Sequence, residues 1–362
     1  MFSEPQKQLF AKVRAAAERE KLALYLVGGT IRDLIIGALP DDRDIDFIVE
    51  GDALAFAQKL SQELGAKLQL FPQFGTAKLS ELSGFGGIDE IDLAGARSEE
   101  YPQPGSLPLV APAEIAADLH RRDFSINAMG ISLADFVGWI TGPTSTIESL
   151  RPLLIDSFSG YSDLASRRIR ILHPRSFIDD PTRIFRACRY AARISGVIED
   201  ATLGCLREAL ATEALNTVSA FRKLSEVRKI CAERSPSATI RLLAEYGVWQ
   251  KVALFDPSSS EGVLAALDRL EKLVPVEHAE QRYQVALRIF FLSFPLGQAE
   301  KVFRGYSFGR KFFRLVEAEG EYPQNPETYS TEGLLTQLAI GCGSAELLLA
   351  ELRKREGVAV GR

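Results

Sequence analysis

The sequence has no long hydrophobic run. No stretch approaches the ~20 apolar residues that a membrane-spanning helix needs, and the first residues are polar where a secretory signal would be apolar. Cysteine is scarce, and the four cysteines are too scattered to form a CxxC pair. This spacing disfavours a zinc site or a disulfide framework and is typical of a reducing compartment. We therefore expect a cytoplasmic protein without a membrane span.

Internal repeats and low-complexity linkers are also missing. The 362 residues nevertheless exceed what one compact core usually holds. Strand patterns are confined to the N-terminal part, whereas helical patterns follow one another from Pro181 onward. The sequence therefore predicts an α+β protein in which a head with a small mixed β-sheet (1–140) precedes a helical neck (141–255) and a helical body and tail (256–362).

An excess of positive charge is absent as well, since the net charge is −5 at neutral pH. The charges are unevenly distributed, however. Eight arginines lie in one short stretch that has only two acidic residues: Arg167, Arg168, Arg170, Arg175, Arg183, Arg186, Arg189 and Arg193. A local basic stripe on an acidic protein is expected where one surface binds phosphate. A solvated helix face is the commoner explanation when such a stretch stands alone.

Two aspartates carry the first chemical signal. Asp44 and Asp46 alternate along a predicted strand, 44–49, so their side chains project from the same face. Their like charges repel each other, and the positive charge of a bound divalent cation relieves the repulsion. Carboxylate oxygens are the ligands that Mg²⁺ prefers. Asp92, in a similarly alternating segment, is a candidate third carboxylate, and three carboxylates can hold two Mg²⁺ ions for phosphoryl transfer. Taken alone, such an acidic pair more often marks a solvated strand edge.

A predicted phosphate site lies just before this strand. Gly28 and Gly29 lead from a strand into a helix, for which we expect Thr30 as the N-cap and Asp33 in the capping-box position. Backbone amides at a helix N-terminus favour phosphate, and glycine allows it to approach closely. Arg32 can add a charge-assisted contact to the same phosphates. A phosphate site beside an acidic strand is much rarer than either feature alone.

Five motifs in this order resemble those of the class II tRNA nucleotidyltransferases, which include bacterial CCA-adding enzymes and poly(A) polymerases. In chain order they are Leu26-Val-Gly-Gly-Thr-Ile-Arg-Asp33 with Asp44-Ile-Asp46, Arg121-Arg-Asp-Phe-Ser-Ile-Asn-Ala-Met129, Asp156-Ser-Phe-Ser-Gly-Tyr-Ser-Asp163, Asp179-Asp-Pro-Thr-Arg183, and Ser219-Ala-Phe-Arg222 with Glu226. The resemblance implies a nucleotidyltransferase-fold head and a helical neck, body and tail. It also implies template-independent addition of CMP, AMP or both to the tRNA 3′ end, with release of pyrophosphate.

The resemblance assigns roles to individual residues. It implies that Asp44, Asp46 and Asp92 are catalytic residues and that Asp44 and Asp46 bind Mg²⁺. Those implied in binding the triphosphate of CTP or ATP are Gly28, Gly29, Arg32, Arg122 and Asn127. Asp123 can accept a hydrogen bond from the ribose 2′-hydroxyl, which would favour NTP over dNTP. We expect Asn127 one helical turn after Asp123.

The resemblance also implies that the fourth motif recognises the base of the incoming nucleotide. Asp180 and Arg183, three residues apart on one helix face, match family residues that hydrogen-bond the Watson–Crick edge of the incoming base. A carboxylate accepts from the amino group of cytosine or adenine, and a guanidinium donates to a ring nitrogen or carbonyl, a pattern that G and U do not match. An intrahelical salt bridge is the plain alternative. The residues implied in supporting contacts are Asp179, Arg186, Asp156 and Asp163.

The sequence leaves the exact activity open among CCA addition, CC addition, A addition and poly(A) synthesis. The segment Ala96–Asp118 is similar in length to the flexible loop of CCA- and A-adding members, which favours an enzyme that adds the terminal A. Basic residues interleave with aromatic residues in 301–314, a pattern typical of an RNA grip or of an amphipathic helix. Two alternatives are an inactive nucleotide- or RNA-binding protein and a nucleotidyltransferase that modifies a protein or small molecule. The three carboxylates disfavour the first, and the base-reading pair disfavours the second.

Overall fold

The computed structural model describes residues 2–37, 44–252, 261–273, 282–283 and 285–286. The chain divides into two compact units. The head unit comprises Met1–Gln103 and Leu107–Ser176, and the helical unit comprises Pro104–Ser106 and Phe177–Arg362. The division lies beyond the end that the sequence predicted for the head, and the predicted boundaries of neck, body and tail stay predictions.

The head unit contains nine described strands and seven described helices. The strands are β1 (Ala23–Val27), β2 (Asp44–Glu50), β3 (Lys67–Phe71), β4 (Thr76–Ser80), β5 (Glu90–Gly95), β6 (Arg97–Glu100), β7 (Leu109–Pro112), β8 (Gly130–Ser132) and β9 (Arg168–Ile169). The helices are α1 (Glu4–Glu20), α2 (Gly29–Ile35), α3 (Ala53–Leu64), α4 (Ile115–His120), α5 (Leu133–Thr141), α6 (Ile147–Leu150) and α7 (Gly160–Ala165). Three short 3₁₀ helices, Pro72–Phe74, Ser125–Asn127 and Arg151–Leu153, connect them.

Six strands form one mixed sheet in the order β3-β4-β5-β2-β1-β8. Only β2 and β5 pair in parallel, whereas the other neighbours pair antiparallel. The glycine-rich segment between β4 and β5 connects them into an antiparallel hairpin. The mixed sheet confirms the predicted α+β class. A separate hairpin of β6 and β7, which the sequence analysis did not predict, follows the sheet.

Different helices cover the two faces of the sheet. On one face, Phe10 of α1 packs edge-on against Phe47 of β2, with ring centroids 6.3 Å apart. On the other face, Ile48 of β2 belongs to a buried cluster with Leu119 of α4. Because side chains two residues apart share a face of a strand, α4 packs on the same face that carries Asp46.

The helical unit begins with α8 at the junction between the units. Its described elements are α8 (Ser176–Asp179), α9 (Thr182–Arg193), β10 (Val197–Ile198), α10 (Asp200–Ala211), a 3₁₀ helix (Ala214–Thr217), α11 (Ala220–Cys231), α12 (Pro236–Glu245), α13 (Val248–Lys251) and α14 (Glu261–Leu273). Trp249 is fully buried and its ring meets Phe185 of α9 edge-on at 6.4 Å. In the part of the chain that the structure describes, no helix is both long and apolar enough to cross a membrane.

The start of α2 differs from the prediction. Its N-cap is Gly28, and the buried Thr30 lies inside the first turn without capping the helix. Gly28 has φ of 65° and ψ of −122°, a conformation that glycine adopts readily and other residues avoid. The expected capping box of Thr30 and Asp33 is therefore wrong, and Asp33 instead forms an ion pair with Arg32.

Candidate active site

The carboxylates of the predicted site lie on the two parallel strands of the sheet. In the register of β2 and β5, Asp46 stands beside Asp92 and Asp44 stands beside Glu90. Neighbouring strands are ~4.8 Å apart, so paired residues present their side chains together on one face. Asp46 is exposed and Asp92 is half-buried. The backbone of Asp44 begins β2, but its side chain lies outside the described part of the structure.

A pocket of about 350 Å³ opens over this acidic face. Asp46 and Asp92 line it, together with Arg121 and Arg122 from the second motif. Motifs one and two, far apart in sequence, therefore contribute to one pocket. Carboxylates and guanidinium groups in the same pocket are the groups needed to hold a metal–triphosphate complex.

Two charged residues of this face were missed by the sequence analysis. Lys78 on β4 pairs in register with Asp92, and its ammonium forms an ion pair with Glu90 and lies 3.8 Å from Oδ2 of Asp92. Burial raises the pKa of Asp92, an effect that the charge of Lys78 opposes and that of Glu90 reinforces. The two-residue alternation that identified Asp92 would also have identified Glu90, two positions before it.

Gly28 brings the first and second motifs together. A Cβ atom at Gly28 would lie 2.7 Å from Nη1 of Arg122 and would displace that guanidinium, and the φ of 65° would strain any other residue. The Gly28 amide donates to the carbonyl of Met129 at 3.1 Å, and Nη1 of Arg122 donates to the carbonyl of Asn127 at 3.4 Å. This glycine is therefore required for the approach of the Arg122 guanidinium to the backbone.

A buried chain of polar side chains continues from α2 into the second motif. The guanidinium of Arg32, 2% exposed, donates to both carboxylate oxygens of Asp33 at 2.7 and 2.8 Å and to Oδ1 of Asn127 at 2.7 Å. The amide nitrogen of Asn127 in turn donates to Oδ1 of Asp123 at 3.0 Å. Ser125–Asn127 form a 3₁₀ helix, so the α-helical turn expected between Asp123 and Asn127 is wrong. These hydrogen bonds hold three of the predicted nucleotide-binding residues in one network.

Residues of the third motif pack against the 3₁₀ helix that carries Asn127 and stabilise this network. The carboxylate of Asp156 accepts from the amides of Gly160 and Tyr161 at 2.6 and 3.0 Å and so begins α7. The buried carboxylate of Asp163 accepts from the Ser125 hydroxyl at 2.6 Å. A Cβ atom at Gly160 would lie 2.2 Å from the carbonyl oxygen of Ser125. Asp156 and Asp163 therefore position the 3₁₀ turn that carries Asn127.

The base-reading pair lies in the helical unit. Because Pro181 is the N-cap of α9, Asp180 precedes this helix, and the expectation that Asp180 and Arg183 share one helix face needs correction. The Asp180 carboxylate accepts from the amide and hydroxyl of Thr182 at 3.1 and 2.6 Å and from Arg222 of the fifth motif at 2.7 Å. The amide of Arg183 donates to the carbonyl of Asp180 at 3.0 Å, and the Arg183 side chain is buried.

The tip of the segment between β6 and β7 lies in the same unit. Gly105, with φ of 70°, donates its amide to the carbonyl of Asp179 at 3.1 Å. Arg222, which pairs with Asp180, also donates to the carbonyl of Gly105 at 2.7 Å. The backbone carbonyl of Asp179, for which we expect a supporting role, therefore accepts a hydrogen bond from this tip.

The arginine stripe on α9 is largely paired within the helical unit. Arg186, Arg189 and Arg193 lie 5.3, 4.7 and 5.5 Å from the ring centroid of Tyr190. Arg189 and Arg193 also donate to Glu233 at 2.9 Å. Two arginines of the stripe therefore have a carboxylate partner. The basic and aromatic residues in 301–314 lie outside the described residues.

The donor set at the pocket fits a hard divalent cation. Asp46 and Asp92 supply carboxylate oxygens, the ligand type that Mg²⁺ prefers. No group of three or more histidine, cysteine, aspartate or glutamate residues suited to a metal ion occurs among the side chains that the structure describes, which do not include that of Asp44. The trio of Asp44, Asp46 and Asp92 therefore stays a prediction.

Comparisons with a protein family, with related sequences and with a solved structure all indicate the same family. Residues 24–170 match the poly A polymerase head domain family. The chain is 34% identical to an A-adding tRNA nucleotidyltransferase of Halalkalibacterium halodurans over 91% of its own length and 73% of that protein. It is 36% identical to an A-adding tRNA nucleotidyltransferase of Aquifex aeolicus over 72% of its length, but it spans only 30% of that longer protein.

A CC-adding tRNA nucleotidyltransferase of Deinococcus radiodurans is 34% identical over 62% of the chain and 54% of that protein. The fold resembles that of a solved CCA-adding enzyme in an apo form, with a TM-score of 0.66 and 31% identity over 99% of this chain and 85% of that one. These likenesses confirm the family and the enzyme class that the five motifs predicted. The chain belongs to the tRNA nucleotidyltransferase family and is a nucleotidyltransferase.

Proposed function

We propose that the protein adds nucleotides to the 3′ end of tRNA without a template and that it adds the terminal AMP. The observation that carries the chemistry is the pocket in which Asp46 and Asp92, in register on adjacent strands, face Arg121 and Arg122. Nucleotidyl transfer needs cations on the triphosphate and carboxylates for the metal ions. The acidic pair and the two arginines supply both in one place.

Mg²⁺ is the expected cofactor, with Asp44 and Asp46 as its ligands and Asp92 as the third carboxylate. When bound there, two ions would lower the pKa of the attacking 3′-hydroxyl and neutralise the triphosphate and the leaving pyrophosphate. Arg122 and the amides around Gly28 and Gly29 would hold the phosphates. The network of Arg32 and Asn127 keeps Asp123 in place, where its carboxylate would accept from the ribose 2′-hydroxyl.

The choice of nucleotide is assigned to Asp180 and Arg183. Arg222 and Thr182 orient the Asp180 carboxylate, which leaves one oxygen able to accept from the amino group of cytosine or adenine. With CTP and ATP as substrates and tRNA as the acceptor, the expected compartment is the cytoplasm.

Two observations support terminal A addition in particular. The segment 97–112 forms a full hairpin whose tip, Gly105, is bound by Arg222, in agreement with the long loop expected of members that add A. Two of the relatives described above, including the one matched over 91% of this chain, bear the name A-adding enzyme.

The test is incubation of the protein with three tRNA transcripts that end before, within and after the two terminal cytidines, with labelled CTP or ATP given separately. We expect AMP on the transcript that already ends in both cytidines. Incorporation of CMP on the shorter transcripts would identify a CCA-adding enzyme. If only CMP is incorporated, terminal A addition is wrong.

A further inference from the structure

Asp118, in the last turn of α4, is a charged residue that none of the five motifs includes. Its carboxylate is fully buried. Oδ1 accepts from Nε and Nη2 of Arg121 at 2.9 and 2.6 Å, and Oδ2 accepts from Nε and Nη2 of Arg122 at 3.3 and 2.9 Å. One carboxylate therefore receives the same edge of two neighbouring guanidinium groups, one at each oxygen.

This arrangement compensates charges that would otherwise oppose one another. Two guanidinium groups side by side repel, and a carboxylate between them offsets the repulsion. A buried carboxylate without such partners would be strongly unfavourable. One carboxylate offsets only one of the two positive charges, so Asp118 fixes Arg121 and Arg122 and leaves net positive charge for an anion.

The ion pairs with Asp118 orient Arg121 and Arg122 in the lining of the pocket. The side chains of Arg121 and Arg122 are 18% and 16% exposed, and both residues line the pocket with Asp46 and Asp92. Asp118 itself is not among the residues that line it. Glu99 holds Arg121 by a second contact at 2.8 Å, whereas Arg122 has the carbonyl of Asn127 at the longer distance of 3.4 Å. Arg122 therefore depends on Asp118 more than Arg121 does.

We propose that Asp118 is a positioning residue for the triphosphate, which it reaches only through Arg122 and, to a smaller extent, Arg121. Its buried carboxylate aligns the guanidinium of Arg122 beside Gly28, with the cation directed at the phosphates over the acidic face. This inference rests on the proposed function, because it takes the triphosphate to be the anion in the pocket.

The test uses equilibrium binding of ATP and of inorganic tripolyphosphate, measured by calorimetry without tRNA. Asp118→Asn keeps the shape of the side chain but removes its charge and turns one acceptor into a donor that faces a guanidinium. We expect the Kd of both ligands to rise by the same factor, about 10- to 100-fold, as for the loss of a residue that orients a binding group. A rise for ATP alone would place the effect outside the phosphates and would overturn the proposal.

A double-mutant cycle tests whether Asp118 acts through Arg122. Adding Asp118→Asn to Arg122→Ala should weaken tripolyphosphate binding by less than the product of the two single effects, because the residue through which Asp118 acts is already gone. Independent, multiplying losses would contradict the proposal. If Asp118→Asn folds poorly, Arg122→Lys replaces it, since lysine keeps the charge but cannot make the side-on pair. Binding of wild-type strength by Arg122→Lys would equally refute the positioning role.

Glu233 provides a matched control. Its buried carboxylate also receives two arginines, Arg189 and Arg193, but it lies in the helical unit. Glu233→Gln should lower the Tm and leave the Kd of tripolyphosphate unchanged, which separates a directed effect from general destabilisation. A protein that binds ATP but transfers nothing to tRNA would refute the proposed function and leave the role of Asp118 standing.

Discussion

The acidic face of the sheet and the helices around α9 shift the pKa values of their carboxylates in opposite directions. On the sheet, burial raises the pKa of Asp92, and Lys78 offsets this only in part at 3.8 Å. Beside α9, burial alone would raise the pKa of Glu233, but hydrogen bonds and charges from Arg193 and Arg189 lower it. Asp92 has one neighbouring lysine, which it shares with Glu90, whereas Glu233 is paired with two arginines.

The opposite pKa shifts distinguish a carboxylate suited to bind a ligand from one that stabilises the fold. A carboxylate that is short of positive charge gains most from a cation, so the sheet face is suited to bind Mg²⁺. A carboxylate already paired with two arginines gains little from another cation. Asp180 is intermediate, since Arg222 and Thr182 orient it and it remains near the surface.

The largest expected effect is at Asp46. Asp46→Asn removes a metal-binding charge that contributes several kcal/mol to transition-state stabilisation, so incorporation of AMP should fall about 1000-fold or more. Binding of tRNA should largely survive, as a gel-shift assay would show. Asp52→Asn is the control, because Asp52 caps α3 by accepting from Leu54 and Ala55. Substantial turnover by Asp46→Asn would break the contrast between the two regions.

The next effect concerns base choice. Combined Asp180→Ala and Arg183→Ala should remove the hydrogen bonds that favour ATP, so the ratio of kcat/KM for ATP over GTP should fall about 10- to 100-fold. The ratio is measured in single-nucleotide incorporation assays. Asp268→Ala, which breaks a surface ion pair with Arg241 in the same unit, should leave the ratio unchanged. Continued exclusion of GTP and UTP would show that these residues do not select the base.

Asp46 was visible in the sequence because local periodicity reports local structure, whereas the role of Asp180 and Arg183 was implied by the resemblance of the fourth motif. The alternation that predicted a strand at 44–49 places Asp46 on one face, and the observed strand is Asp44–Glu50. The strand predicted immediately before Gly28 is observed as β1, Ala23–Val27. The register of β2 and β5 then pairs Asp92 with Asp46. This pairing is expected when the two strands present their polar residues on the same face of the sheet.

What the sequence did not predict depends on partners that are distant along the chain. Threonine is a residue type favoured at N-caps, but the N-cap is Gly28, two residues before Thr30, beside the Arg122 guanidinium. Pro181 takes the N-cap position of α9 and leaves Asp180 outside the helix. Lys78 lies on β4, and only the pairing of β4 with β5 places its ammonium 3.8 Å from Oδ2 of Asp92.

Lys78 offers a way to sharpen the contrast. Lys78→Met removes the positive charge beside Asp92 and Glu90, so the half-saturating Mg²⁺ concentration for AMP incorporation should fall about two- to fivefold, a modest change because the groups are partly exposed. Lys67→Met is the matched control, since Lys67 on β3 pairs with Glu81 in an exposed salt bridge. A higher Mg²⁺ requirement in Lys78→Met would mean that the lysine supports the metal site.

The smallest effect on activity is expected at Glu233, where the effect on stability is large. Its pKa is lowered in the folded protein, so the pairing stabilises the fold above the ordinary glutamate pKa of about 4.3 and is lost as the pH falls through the lower folded value. Glu233→Gln leaves Arg189 and Arg193 without their shared carboxylate and should lower the free energy of unfolding by about 3 kcal/mol at pH 7. Denaturant titrations at pH 7 and pH 3.5 should show the difference between variant and wild type shrinking at the lower pH, while AMP incorporation at pH 7 stays within about twofold. A difference that is independent of pH would mean that packing, and not the charge of Glu233, stabilises α9, and the contrast with the sheet face would then fail.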